Sequence, residues 1–202
     1  MSDVHHDALY REAEAQAGYF TAPQAVDAGM DRSTLHFHAR PGGRYERVRR
    51  GLYRLRRFPS SPQEHVMAAW LPLRGAGAVV SHESALELLG LSDVIPDAVD
   101  LTVPRSERGT RPRAGVRLHT SGHPARGKEV RQIAGLPVTG PERSIFDALE
   151  SGAQPEQIEM AIHQALGRGL TTPSRLRRSA DSRPDRVRRF VERTVEEVAR
   201  EI

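Results

Sequence analysis

Apolar residues along the chain follow two spacings, and each spacing predicts a different kind of element. Alternating apolar positions predict strands, first at Val99, Leu101 and Val103 and again at Val116 and Leu118. Nearer the C-terminus, apolar residues stand three and four apart, which predicts two amphipathic helices. Their apolar stripes are Ile158, Ala161, Ile162, Ala165 and Leu166, and then Val187, Phe190, Val191, Val195, Val198 and Ile202.

Three sites combine a hydroxyl residue with Glu or Gln three positions later and a proline between the two. These are Thr21 to Gln24, Ser61 to Glu64 and Thr139 to Glu142. In a capping box the hydroxyl and the Glu or Gln side chain each accept a hydrogen bond from the other residue's amide, so each site predicts a helix start. The proline signal recurs more weakly at Gln154-Pro155, at Thr172-Pro173, and at Ser182 with Pro184.

The first part of the chain predicts three helices followed by a β-hairpin. We expect the helices over 7–17, 22–28 and 31–40, and the two strands over 45–48 and 52–55. Gly51, between the strands, can adopt the positive φ that closes a hairpin. This order of elements predicts a winged helix-turn-helix domain.

A short stretch rich in proline and serine, 59–61, predicts a linker, so we expect one domain over 1–58 and a second over 62–202. The second domain is predicted to open with helices over 62–73 and 81–89. The alternating strands follow, and 129–133 with 136–139 predict another hairpin. The expected fold class is therefore α+β, with the winged helix first and a mixed α+β domain after it.

The composition excludes several classes of protein. The chain has 202 residues and no cysteine, which excludes disulfides, thiolate zinc sites, iron–sulfur clusters and thiol nucleophiles. Its longest apolar stretch, 66–73, is far short of the roughly 20 residues that span a bilayer. The polar start of the sequence differs from a secretory signal. We therefore expect a cytoplasmic protein with no membrane contact.

Basic charge is concentrated between Arg40 and Arg57. This stretch holds eight arginines and one acidic residue, Glu46, which gives a local net charge of +7 over 18 residues. Half of these arginines lie on the predicted hairpin. Since the guanidinium fork binds phosphate in a bidentate manner, this placement predicts contact with nucleic acid.

Residues 21–40 have the spacing of a helix-turn-helix, with Gly29 in the turn and Asp31 capping the second helix. Leu35 and His38 are expected to face inward. The second helix would then enter the major groove of double-stranded DNA while the hairpin contacts phosphates. The predicted DNA-binding residues are Arg32, Ser33, Thr34, His36, Phe37, Arg40, Arg44, Arg47, Arg49, Arg50 and Arg54.

Patterns that would indicate an enzyme are incomplete around Ser81. His82-Glu83 begins like the zinc-binding helix of a metalloprotease, but position 86 is leucine where the second histidine would stand. Ser81 and Ser84 lie beside a predicted helix start, where a capping serine is more common than a nucleophile. No catalytic residue is therefore predicted here.

Other candidate sites in the second domain are equally incomplete. His119 and His123 have the spacing of metal ligands but lack further partners, and Asp100 is predicted to flank a strand. The arginines between Arg105 and Arg113 are predicted to lie on a solvated loop. We expect no metal site, no cofactor site and no enzymatic activity.

Five stretches of the chain carry a family resemblance. Two lie in the first domain: Gly18-Tyr-Phe-Thr-Ala-Pro-Gln-Ala-Val-Asp-Ala-Gly-Met-Asp-Arg-Ser-Thr-Leu-His36 and Glu46-Arg-Val-Arg-Arg-Gly-Leu-Tyr-Arg-Leu55. Three lie in the second: Val80-Ser-His-Glu-Ser-Ala-Leu86, Leu101-Thr-Val-Pro-Arg105 and Gly135-Leu-Pro-Val-Thr-Gly-Pro-Glu-Arg143. They resemble the winged helix and the C-terminal antitoxin domain of the AbiEi family of type IV toxin–antitoxin systems.

The resemblance implies a transcriptional autorepressor and antitoxin. Such a protein binds its own operator in double-stranded DNA and counteracts a nucleotidyltransferase-like toxin without forming a stable complex with it. Two alternatives stay open. One is a toxin-modifying or nucleic-acid-processing enzyme with its active site in the second domain, and the other is a free-standing winged-helix transcription factor gated by a small ligand.

Overall fold

The computed structural model describes residues 2–201, which form two compact units that divide between Gly75 and Ala76. We call them unit 1 and unit 2. The division falls later in the chain than the predicted linker at 59–61. Ile202, placed in the last apolar stripe from its sequence spacing, lies outside the described residues.

The described part of unit 1 contains four helices and a three-stranded sheet. In chain order these are α1 (Ser2–Glu14), β1 (Tyr19–Thr21), α2 (Ala22–Asp27), α3 (Arg32–His38), β2 (Tyr45–Arg49), β3 (Leu52–Leu55) and α4 (Glu64–Trp70). The sheet is antiparallel with the order β1-β3-β2. The sequence does not predict β1, because three residues are too few to show alternation.

Helix α4 belongs to unit 1 because it is bonded to the hairpin. Arg54 on β3 donates from Nη2 to Glu64 Oε2 at 2.9 Å. Arg49, at the end of β2, donates to the main-chain carbonyl of Ala68. The first compact unit therefore continues through α4, which corrects the boundary expected at 59–61.

Aromatic rings form the centre of the unit 1 core. The Phe20 ring lies 4.9 Å from the Tyr45 ring in an edge-to-face arrangement and stacks on Tyr53 at 5.6 Å. Leu9 of α1 and Leu35 of α3 are buried in the same core. Because Leu35 points inward, the opposite face of α3 is turned to solvent.

The described part of unit 2 is built on a five-stranded mixed sheet. Its elements are β4 (Val79–Val80), α5 (His82–Leu89), β5 (Val99–Pro104), β6 (Val116–Ser121), β7 (Val130–Ile133), β8 (Leu136–Thr139), α6 (Pro141–Ser151), α7 (Pro155–Gly167), α8 (Pro173–Ala180) and α9 (Asp185–Glu201). The strand order is β6-β5-β4-β8-β7. Strands β5 and β6 run parallel, as do β4 and β8, while β4 and β5 run antiparallel.

Helices α5 to α9 share one apolar core. It includes Leu86 of α5, Phe146 of α6, Ile162 of α7, Leu176 of α8 and Val191 of α9. The two C-terminal apolar stripes predicted from the sequence thus face this core. Helices packed beside a mixed sheet confirm the predicted α+β class.

Besides the Asp31 cap of α3, two of the predicted helix caps form as expected. Thr21 and Gln24 make a complete capping box at α2, in which each side chain accepts from the other residue's amide. Thr172 caps α8 by accepting a hydrogen bond from the amide of Arg175. In both caps the two partners are three positions apart, so tertiary packing does not alter them.

The capping box predicted at Thr139 is wrong, although α6 starts where its proline indicates. The N-cap residue is Gly140, and the Thr139 hydroxyl is instead hydrogen-bonded to the Ser144 hydroxyl at 2.8 Å. Glu142 turns away to accept from Thr171 at 2.7 Å. Thr139 has therefore taken a different local partner, and Glu142 a partner distant in sequence, in place of the capping box.

The box predicted at Ser61 is incomplete for a similar reason. Helix α4 begins at Glu64 with Gln63 as its N-cap, and no side chain caps it. The Glu64 carboxylate does accept from the Ser61 amide at 3.4 Å, but it also holds Arg54. The pairing with Arg54 fixes this carboxylate on the hairpin.

Candidate nucleic-acid interface

The start of α3 is fixed by a single carboxylate. Asp31 accepts hydrogen bonds from the Thr34 amide at 2.8 Å and from the hydroxyls of Ser33 and Thr34. These bonds, the Ser33 hydroxyl first among them, lower the pKa of Asp31 to about 2. As a result, the Ser33 and Thr34 hydroxyls predicted to contact DNA already donate to Asp31.

The solvent-facing side of α3 carries cationic, imidazole and aromatic groups. Arg32, His36 and Phe37 are exposed, and 59% of the Phe37 residue surface is accessible. Just after the helix, the exposed Arg40 places its guanidinium 5.2 Å from the centre of the Phe37 ring. This pairing makes a flat cationic surface at the C-terminal end of α3.

The hairpin presents its own cations to solvent. Arg47 on β2 and Arg50 in the turn are exposed, and Gly51 closes the turn with φ +78°. The β2–β3 register shifts between Arg47 and Arg49. Such an irregularity turns side chains of one strand to a new direction, and here Arg49 points at α4 while Arg47 stays in solvent.

Helix α3 and the hairpin meet in one surface groove of about 290 Å³. Arg32 and His36 line it from α3, and Arg47 and Tyr53 line it from the hairpin. The two elements that the sequence singled out for DNA contact thus face the same space. This convergence is the main geometric feature of the candidate interface.

Not every arginine of the basic run is available to a ligand. Arg49 and Arg54 are directed at α4, as described above, and Arg56 donates to the main-chain carbonyls of Gly43 at 2.8 Å and Tyr45 at 3.0 Å. In this structure Arg49 and Arg54, both in the predicted contact set, are therefore bonded to α4, and their contact with DNA stays a prediction. Arg49 and Arg54 had been included because spacing alone does not show which strand residues turn toward a neighbouring helix.

The remaining exposed cations of α3 and the basic run keep their guanidinium groups in solvent. Their side chains form no hydrogen bond or ion pair with any residue in the described part of the chain. They are Arg32, Arg44, Arg47, Arg50 and Arg57. Of these, Arg32 and Arg47 line the α3–hairpin groove, while Arg44 and Arg57 line a separate surface pocket. Arg57 was not in the predicted set, although the basic run that includes it was the signal that could have added it.

His38 is the last residue of α3, and its side chain faces the rest of unit 1, as predicted for an inward position. It is half-buried, and its ring meets His6 edge to face at 4.6 Å and lies 6.1 Å from the Tyr45 ring. The Tyr45 hydroxyl is hydrogen-bonded to His6 Nδ1 at 2.6 Å, and burial raises the pKa of Tyr45 to about 12. The sequence spacing gave no sign that His6 joins this cluster.

In unit 2, a chain of polar side chains connects the start of α5 with the sheet. The Ser81 hydroxyl is bonded to Thr102 Oγ1 at 2.7 Å and to His82 Nδ1 at 2.8 Å. Ser81 therefore stands at the N-cap of α5 without capping it, contrary to expectation. It is fully buried, so its hydroxyl is not accessible as a nucleophile.

Asp100 is part of strand β5 and does not merely flank it. The residue is 1% exposed, and its Oδ1 is bonded to His119 Nε2 at 2.8 Å. Within the described residues, Oδ2 has no hydrogen-bond partner. The His119 ring in turn stacks on His82 with centres 3.6 Å apart.

The neighbouring residues Glu83 and Ser84 have different roles. Burial, followed by the charge of Asp100, raises the pKa of Glu83. The Ser84 hydroxyl accepts from the Asp100 amide at 2.9 Å, which fixes α5 to β5. Within residues 6–200, whose side chains the structure describes, no group of three or more histidine or carboxylate side chains is arranged to hold a metal ion.

Comparisons with known proteins support the fold alone. Neither a protein-family model nor a curated protein matches the sequence. Among solved structures, the RV2827C protein from Mycobacterium tuberculosis is similar, with a TM-score of 0.61 and 15% identity. The alignment covers 96% of this chain and 77% of that one.

Across residues 2–201, no helix combines the length and apolar character needed to cross a bilayer.

Proposed function

We propose that unit 1 is a winged helix that binds double-stranded DNA, with α3 in the major groove and the β2–β3 hairpin on the phosphate backbone. The single observation that carries this proposal is the shared groove, into which Arg32 and His36 of α3 and Arg47 of the hairpin all project. A helix that contacts base edges and a basic wing beside it is the arrangement of winged-helix proteins. The order of elements and the β1-β3-β2 sheet agree with it.

We further propose that the protein is an antitoxin and autorepressor of the AbiEi type. In this proposal unit 1 represses the protein's own operon, and unit 2 counteracts a nucleotidyltransferase-like toxin without a stable complex. The proposal rests on the sequence resemblance described above, which extends across both units. It includes no enzymatic step and no cofactor.

Salt dependence of operator binding tests the DNA-binding part. Arg47→Ala with Arg50→Ala removes two exposed cations whose side chains have no hydrogen bond or ion pair among the described residues. If both contact phosphates, the slope of log K against log salt should decrease in magnitude by about two, because each phosphate contact releases roughly 0.9 of a counterion from B-DNA. Fluorescence anisotropy with a labelled promoter fragment measures this slope.

A matched control removes the same charge from unit 2. Arg111→Ala with Arg113→Ala changes two exposed arginines of the loop between β5 and β6. We expect this variant to keep the wild-type slope. An equal loss in both variants would mean that net charge, not the α3–hairpin face, determines binding.

A further inference from the structure

Unit 2 contains a cavity of about 770 Å³ that the proposed function does not use. It lies between the ends of β6 and β8 and helices α6 and α8, and all of its lining residues belong to unit 2. This volume is in the range of pockets that bind small molecules, roughly 300–1,000 Å³. Many of its lining residues carry a charged side chain.

Five cationic side chains line the cavity, together with three carboxylates. The cations are Lys128, Arg143, Arg175, Arg178 and Arg183, and the carboxylates are Glu129, Glu142 and Glu150. They come from separate segments of the chain, so the cluster is produced by the fold and not by a single basic run. When the buried Asp147, which is next to the lining, is included, the cations outnumber the carboxylates by one.

Two of the arginines are fixed in place by hydrogen bonds to one buried carboxylate. Asp147 accepts from Arg143 Nε at 2.6 Å and from Arg183 Nη1 and Nη2 at 3.2 Å. The side chains of Arg143 and Arg183 are only 15% and 18% exposed. Arg183 also packs over the Phe146 ring, 5.4 Å from its centre. Groups fixed in this way lose little conformational entropy when a ligand binds.

Two of the three lining carboxylates pair with cations of the cavity itself. Glu142 pairs with Arg175 at 3.0 Å, and Glu150 pairs with Arg183 at 3.0 Å. By contrast, Lys128 and Arg178 are exposed and form no hydrogen bond or ion pair with any residue that the structure describes. These two cations have donors available to an incoming ligand.

We propose that this cavity binds a small ligand carrying two or more phosphate groups. Guanidinium forks and an ammonium group converging on a concave surface are the donors that bind phosphate oxygens. Separate cations on opposite segments suit a ligand whose negative charge is spread over several groups. A nucleoside triphosphate and inorganic pyrophosphate share this chemistry.

Isothermal titration of the full chain at constant ionic strength tests the proposal. The probes are ATP, AMP, pyrophosphate and orthophosphate, and the variant is Lys128→Ala with Arg178→Ala. We expect ATP or pyrophosphate to bind the wild type and the variant to bind about tenfold or more weakly, because each lost charged hydrogen bond weakens binding. The variant should keep its melting temperature, since neither side chain forms a hydrogen bond or ion pair within the part of the chain that the structure describes.

The probes also distinguish the two sources of phosphate. Equal affinity for ATP and pyrophosphate would show that the phosphate chain alone is recognised. If ATP binds and pyrophosphate does not, the protein also contacts the nucleoside. The control, Arg111→Ala with Arg113→Ala, should bind like the wild type. The proposal is overturned if no probe binds, or if binding is lost instead in Arg47→Ala with Arg50→Ala, which would place the ligand on unit 1. DNA binding is measured separately, so its failure would not affect this result.

Discussion

His82 is strained and stacked on a second histidine. Its φ is +53°, in the left-handed region that residues with a Cβ rarely adopt. Its ring lies face to face with His119, and its Nδ1 is bonded to the Ser81 hydroxyl. Burial and then the neighbouring His119 lower the pKa of His82 to about 4.

The lowered pKa predicts a loss of stability in mild acid. The unfolded chain takes up a proton at His82 near pH 6.5 and the folded chain does so only near pH 4, so unfolding is favoured as pH falls between these values. His82 should therefore account for about 2 kcal/mol of the stability lost between pH 7 and pH 5. Scanning calorimetry of the unit 2 transition at the two pH values measures it.

The matched variant is His82→Asn, which does not titrate and tolerates a positive φ better than histidine does. Its stability should depend less on pH than that of the wild type. His65→Asn, at an exposed position in unit 1, should leave the dependence unchanged. Parallel pH curves for the wild type and His82→Asn would mean that His82 is not the group responsible.

At the scale of elements, the loop between α3 and β2 determines where the hairpin stands beside the helix. Gly42 has φ +80°, and Gly43 lies directly against the main-chain carbonyl of His38 at the end of α3. A side chain at Gly43 has no room, because the atom it meets is backbone and cannot rotate away. The approach of hairpin and helix therefore depends on this glycine.

We predict that Gly43→Ala destabilises unit 1 by about 1–3 kcal/mol, the usual cost of overpacking a close contact. It should also weaken operator binding, since α3 and Arg47 would no longer face the groove in the same geometry. Urea denaturation followed by Trp70 fluorescence, together with anisotropy, gives both quantities. Gly75→Ala, where an added Cβ meets nothing within 4 Å, is the control, and equal behaviour of the two variants would contradict the prediction.

At the scale of the whole molecule, the division after Gly75 defines which fragments should fold. A fragment ending at residue 61 lacks α4, so Arg49 and Arg54 lose acceptors that they have in the intact chain. The Nη2 donors of both side chains lose an acceptor together with α4, and a buried polar group that loses its partner costs about 1–3 kcal/mol. We predict that the fragment 1–75 unfolds cooperatively and binds the operator, and that 1–61 is markedly less stable in urea.

The complementary fragment, 76–202, tests the proposed division of labour. Co-expression with the proposed toxin should show growth rescue by this fragment and none by 1–75. If 76–202 is folded but gives no rescue, antitoxicity requires unit 1. If rescue is lost in a folded His119→Asn variant, the enzymatic alternative gains support over an antitoxin that acts by binding.

Sequence reasoning succeeded where structure depends on neighbouring residues. The Thr21 box, the Asp31 cap, the hairpin around Gly51 and the Thr172 cap all join residues a few positions apart. In such contacts both partners belong to the same short segment, so the contact forms unless tertiary packing prevents it. The start of α3 and its exposed face were predictable for this reason.

Contacts between distant residues were not predictable. Arg54 meets Glu64, Glu142 meets Thr171 instead of completing the box at Thr139, and His82 meets His119 only because β4, β5 and β6 are neighbours in the sheet. The cavity of unit 2 likewise joins segments about 60 residues apart. Strand β4, with two residues, is too short to produce any periodic pattern.

The two bonds between the hairpin and α4 differ in how they tolerate mutation. Arg49 binds a main-chain carbonyl, so any residue that keeps the helix at position 68 preserves the bond. Arg54 binds the Glu64 carboxylate, so a change at either position removes the ion pair. Among homologues we therefore expect positions 54 and 64 to vary together, position 49 to be constrained alone, and position 68 to drift freely among residues that keep the helix.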